Sequence, residues 1–99
     1  MRLHPFLTAV RRQLVLDDRQ GAARVTHAVV TTLGDRIDAA TARAVARPRP
    51  MELRVWLARA DSGQSFGPRE FRLRVARRAG TRPADAEYHA MVVLELLAD

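Results

Sequence analysis

The order of residues predicts an all-α domain, a compact six-helix bundle. Three observations lead there. Apolar residues recur at helical spacing along nearly the whole chain, and no stretch alternates in the manner of a strand. Proline, glycine and aspartate interrupt the pattern at intervals suited to short helices and tight corners. Finally, residues 4–34 and 68–98 run in matching register. The bundle is therefore expected to consist of two similar short-helix, turn, long-helix halves, joined by two middle helices spanning 38–60.

The first helix is expected over residues 4–14, where Phe6, Val10 and Leu14 are spaced by four. Asp17 or Asp18 caps a longer second helix that runs to Gly34, a natural stop. Its stripe is Ala22, Val25, Val29 and Leu33, with Thr26 and Thr32 beside it; Arg24, His27, Thr31 and Asp35 form a polar back. Ile37 precedes the next cap, Asp38, and Ala42 stands where a hydrophobic staple places its second residue, so a third helix runs to about Arg47.

The string "RPRP" at 47–50 then ends one helix and begins another. Proline cannot continue a helix and disfavours helical geometry in the residue before it. Pro48 stops the third helix and Pro50 fits the first turn of a fourth, whose stripe is Leu53, Trp56, Leu57 and Ala60. "DSGQSFG", residues 61–67, reads as a mobile loop. Gly67 and Pro68 open a fifth helix with Phe71, Val75 and Ala79 inward, and Gly80 closes it. Thr81 caps a sixth helix, with Pro83 in its first turn. Phe6 and Val10 match Phe71 and Val75. After a one-residue gap, Ala22, Val25, Val29, Val30 and Leu33 match Ala86, His89, Val93, Leu94 and Leu97. A shared core between the halves follows, because neither helix pair buries its stripe alone.

Composition narrows the function classes. Ninety-nine residues suit one domain, 1–99, and 47% hydrophobic against 28% charged residues suits a soluble globule. Without cysteine there are no disulfides, thiolate nucleophiles or cysteine-held metals. No apolar run reaches the roughly 20 residues of a membrane helix, and "MRLHPFLTAV" is too polar for a signal peptide. With no cysteine, signal peptide or membrane helix, a bacterial cytoplasmic address is expected; all 17 basic residues are arginine, the imprint of a GC-rich genome. The formal charge of +6 favours anionic partners.

Taken together, "FLTAV", "THAVVTTLGDRI", "ATARAVA", the Pro50 to Arg54 stretch with Trp56, and "FRLRVARRAG" followed by "DAEYHAMVVLELL" resemble the domain of unknown function 2267 family of small bacterial proteins. The similarity covers nearly the whole chain. It implies a six-helix domain and supplies no reaction or catalytic residue. Two positions depart from the family pattern: Arg49 before Pro50 and Arg72 after Phe71, both usually leucine.

The candidate chemistry is sparse. His4, His27 and His89 show no ligand spacing, and His89 is expected half-buried and hydrogen-bonded. Ser62 and Ser65 lack a nucleophile elbow, lysine is absent, and Asp17, Asp18, Asp38 and Asp85 sit at helix starts where capping explains them. No enzyme, metal, cofactor or small-molecule substrate is therefore expected. Residues 74–92 resemble the helix-turn-helix of lactose-repressor-type regulators. In that reading Arg82, Ala84, Asp85 and Tyr88 face the major groove and Arg77 or Arg78 the phosphates. Against it, Asp85 and Glu87 repel phosphates and the sixth helix is apolar around most of its circumference. Arg74, Arg77 and Arg78 otherwise form a solvated basic stripe. Tyr88, Met91 and Glu95 point away from the sixth helix's main stripe, so either that helix is covered on both faces or these residues form a partner surface. The leading expectation is a non-enzymatic protein-interaction or regulatory domain, with a protein partner or a homodimer. The alternative is DNA binding through Arg74, Arg77, Arg78 and Arg82.

Overall fold

Each helix begins and ends where corner chemistry dictates. The computed structural model describes residues 2–98, and among them lie six helices and no strand: α1 (Leu3–Leu14), α2 (Arg19–Arg36), α3 (Ala39–Ala46), α4 (Met51–Arg59), α5 (Pro68–Ala79) and α6 (Pro83–Ala98). None of them is long and apolar enough to cross a membrane.

The caps are satisfied locally. Asp18 accepts a hydrogen bond from the Gly21 N–H at 2.8 Å, and Asp38 one from Thr41 at 2.7 Å. The bond from Thr41 holds the Asp38 carboxyl below its usual range. Pro50 stands just before α4 rather than in its first turn. The corner around it is closed by Arg54, which donates to the Arg49 and Arg47 carbonyls, each at 3.0 Å. Thr81 does not cap α6. It lies one residue too early: the Arg82 carbonyl accepts the helix's first bond, from Ala86, and the buried Thr81 hydroxyl has no partner among the described residues.

Gly34 does not stop α2, which continues to Arg36. The glycine serves close approach instead. A Cβ there would lie 2.6 Å from the Ala60 Cβ and 3.1 Å from the Leu57 carbonyl, so its absence lets α4 settle against α2.

The centre of the bundle is α2, which packs against α1, α4, α5 and α6, while α1 also closes on α6 and α3 rests on α4. Val10, Val29, Val30, Leu53, Val75 and Val93 are fully buried. Each such aliphatic side chain stabilises the fold by about 1.5–3 kcal/mol. Among the seven matched pairs, Val10 and Val75, Ala22 and Ala86, and Val29 and Val93 are equally enclosed. Phe71, His89 and Leu94 are half-buried where Phe6, Val25 and Val30 are buried, and Leu33 is half-buried where Leu97 is buried, so burial does not follow the expected repeat throughout. Of the two options for α6, cover on both faces does not occur: Tyr88 is 51% and Met91 48% exposed.

Segment 61–67 is pinned rather than loose. The Gly63 and Gln64 N–H groups bond the Ile37 and Asp35 carbonyls at 2.9 Å each, supplying partners for the orphan carbonyls at the end of α2. Asp61 donates its N–H to Asp35 Oδ1 at 3.2 Å, and Arg36 Nε donates to the Phe66 carbonyl at 2.9 Å.

Candidate functional site

Two adjoining features concentrate chemistry, an ionic network built on one buried carboxylate and an open apolar groove. The network starts at Asp35, assigned above to the polar back of α2 but in fact 2% exposed. A helix presents such a position to solvent only where nothing packs on it, and here α5 and the 61–67 segment cover it. Its Oδ2 meets Arg78 Nη2 at 2.7 Å and Arg74 Nη1 at 3.2 Å. Arg78 also donates to the Thr32 hydroxyl at 2.9 Å, which in turn donates to the Ala28 carbonyl at 2.7 Å. Arg74 donates to Glu70 Oε2 at 2.8 Å, and this bond pulls the Glu70 carboxyl below its usual range. The chain Glu70–Arg74–Asp35–Arg78–Thr32 thus fastens α5 to α2 with every charge matched.

Arg74 also lies over the Phe66 ring, 4.0 Å from its centroid, and Phe66 meets Phe71 at 6.5 Å between centroids. Phe66 is therefore clamped between a guanidinium and an aromatic ring, with its carbonyl held by Arg36. Its other side helps wall a groove of about 690 Å³ between α5, α6 and the end of the 61–67 segment. Phe71, Ala90, Met91 and Leu94 line the apolar part, and Arg36, Arg69, Arg72 and Glu87 the edge. Arg72 Nη1 reaches Glu87 Oε2 at 3.4 Å. Among the described residues, Arg36 and Arg69 pair with no carboxylate.

The candidate residues from the sequence divide accordingly. Arg74 and Arg78 are occupied by Asp35. Arg77 is mostly exposed with Glu70 at 3.8 Å, and Arg82 is more exposed still, with Asp85 at 3.7 Å. Met91 lies in the groove, whereas Tyr88 and Glu95 are exposed on α6 outside its lining. Phe66, Leu94, Arg36 and Arg69 were not singled out by sequence reasoning. The i, i+4 and i, i+3 pairs Glu87–Met91 and Met91–Leu94 carried the only local signal, a ridge on the outer side of α6.

The histidines stay apart. His27 packs edge-on against Trp56 at 4.9 Å between centroids. His89 was expected to be hydrogen-bonded, yet its enclosed Nδ1 has no partner among the described residues, and burial lowers its pKa with Asp85 partly offsetting. Among the described residues no group of three or more His, Cys, Asp or Glu side chains gathers as a metal site. Arg49 and Arg72, the two departures from the family pattern, each enclose an Nε atom without a hydrogen-bond partner among the described residues.

A family model described as "Uncharacterized conserved protein (DUF2267)" matches residues 3–99. No curated protein and no solved structure matches the chain.

Proposed function

The chain belongs to that uncharacterized conserved family, and on this premise we propose that it is a non-enzymatic helical interaction domain that docks a protein on its α5–α6 face. The observation that carries the reading is the groove beside Met91. An apolar channel walled by a clamped phenylalanine and open to solvent is the kind of surface that a partner covers. The non-enzymatic part is supported by the polar groups themselves. The charges around Asp35 neutralise one another in structural contacts, so none is left poised as an acid, base or nucleophile. A bacterial cytoplasmic address goes with this reading.

The test is retention of partner from the native cell by immobilised wild type against the Met91→Glu variant. A charge placed in the groove is expected to abolish specific capture while circular dichroism stays unchanged. Equal capture by both proteins would overturn the α5–α6 assignment.

The DNA-binding reading draws support from the exposure of Arg77 and Arg82 beside the Gly80 corner. It is weakened by the engagement of Arg74 and Arg78 with Asp35. Titration of random duplex DNA against salt decides it. A steep loss of affinity with salt, relieved by Arg77→Ala with Arg82→Ala, would favour DNA over a protein partner.

A further inference from the structure

The chemistry around the groove says what kind of partner fits it. We propose that the groove receives an amphipathic α-helix whose flank carries carboxylates, an acidic helical segment of another protein; this rests on the docking reading above.

The lining has helical spacing. Glu87, Ala90, Met91 and Leu94 lie at i, i+3, i+4 and i+7 on α6, a ridge about 10 Å long at 1.5 Å per residue. Phe66 and Phe71 face that ridge from the other side. Two turns of an incoming helix, with apolar anchors at i, i+3 or i+4, and i+7, match such a channel by ridge-into-groove packing. Among the described residues there is no sheet edge to receive a strand. The edge supplies the sign: three guanidinium groups, Arg36, Arg69 and Arg72, stand against one carboxylate, Glu87. Glu87 is met by Arg72 at 3.4 Å. Arg69 pairs with no carboxylate among the described residues, and Arg36, whose Nε holds the Phe66 carbonyl, keeps its Nη donors, so both can meet an incoming anion.

The same charges argue against a second copy as occupant. A twofold dimer through this face would bring six guanidinium groups and only two carboxylates together, in a chain already at +6. Nucleic acid is disfavoured by the floor, which is aliphatic and aromatic rather than a basic track.

The experiment uses the full chain and three fluorescein-labelled helical peptides, read by anisotropy at low salt. One carries leucine anchors with a glutamate flank, one the same anchors with a lysine flank, and one the glutamate composition scrambled out of helical register. The glutamate peptide is expected to bind best, with the scrambled one bound roughly tenfold or more weaker. Arg69→Glu, whose side chain makes no hydrogen bond or ion pair among the described residues, is expected to weaken glutamate-peptide binding roughly tenfold and to improve lysine-peptide binding. Met91→Glu is expected to abolish binding.

Equal or tighter binding of the lysine peptide, lost in Met91→Glu, would overturn the acidic partner while leaving groove docking intact. Failure of all three peptides, with light scattering giving a dimer that Met91→Glu returns to monomer, would overturn it in favour of a self-interface. If no peptide binds and the mass is monomeric in both proteins, the acidic helix falls, and the docking reading stands or falls on the capture experiment alone.

Discussion

The α1–α2 and α5–α6 corners close with the same bonds on different residues. In one, Leu16 donates to the Arg11 carbonyl at 3.0 Å; in the other, Thr81 donates to the Ala76 carbonyl at 3.0 Å. Both require a left-handed residue just past the first helix. In the second corner it is Gly80 at φ 70, which has no Cβ to strain; in the first it is Val15 at φ 53, a β-branched side chain 86% exposed. The hydrogen-bonding needs of the helix end decide the corner's shape, and the residue present decides only how much strain that shape stores. The long helices teach a complementary lesson. With similar apolar stripes, α2 is surrounded and buries a carboxylate, while α6 leaves Tyr88 and Met91 in solvent. Neighbours, more than periodicity, set what each helix exposes.

The largest expected effect tests the buried end of α2. Asp35→Ala removes the acceptor shared by Arg74, Arg78 and the Asp61 N–H, leaving Arg74 with Glu70 and Arg78 with Thr32, and is expected to destabilise by about 2–3 kcal/mol by urea midpoint. Glu95→Ala on exposed α6 is expected to change stability by less than about 0.5 kcal/mol. Equal effects would erase the contrast between the two helices. Next comes Gly34→Ala, where the forced separation of α2 from α4 outweighs the better helix propensity of alanine. A loss of about 1–2 kcal/mol is expected, checked in the same titration. The corners themselves can be exchanged. Val15→Gly is expected to stabilise by about 0.5–1 kcal/mol and Gly80→Val to destabilise by about 1–2 kcal/mol, since neither site has packing to confuse the result.

The smallest effect is set by pH at half-buried His89. Burial lowers its folded pKa below the ordinary 6.5, so the unfolded chain binds the proton first as pH falls. This contribution leaves stability whole above about pH 6.5 and reduces it as pH drops below that value. Thermal unfolding of wild type and His89→Leu at pH 7 and pH 5 is expected to show a smaller acid loss in the variant.

Helix order and most corners were legible because their causes are local. Asp18 and Asp38 cap the segments they precede, Pro48 and Pro50 bracket a break, and Gly80 supplies left-handed backbone. Gly34 misled because glycine serves two physical ends, stopping a helix or admitting a neighbour, and only the position of Ala60 distinguishes them. Asp35 misled in the same way. Its register placed it with Arg24 and His27, and its partner Arg74 lies 39 residues away. The groove was half legible: Met91 stood out from the helical stripe, but Phe66 and Arg36 join it only because the 61–67 segment folds back onto the end of α2.

Every cation beside the groove is a guanidinium. Arginine keeps its proton throughout the pH range in which a protein stays folded, and it offers no amine to acetyl transferases or to amine-reactive cross-linkers. Arg36, Arg69 and Arg72 are thus beyond the reach of lysine-type acylation. Their field answers to ionic strength, and their hydrogen-bonding fork to methylation.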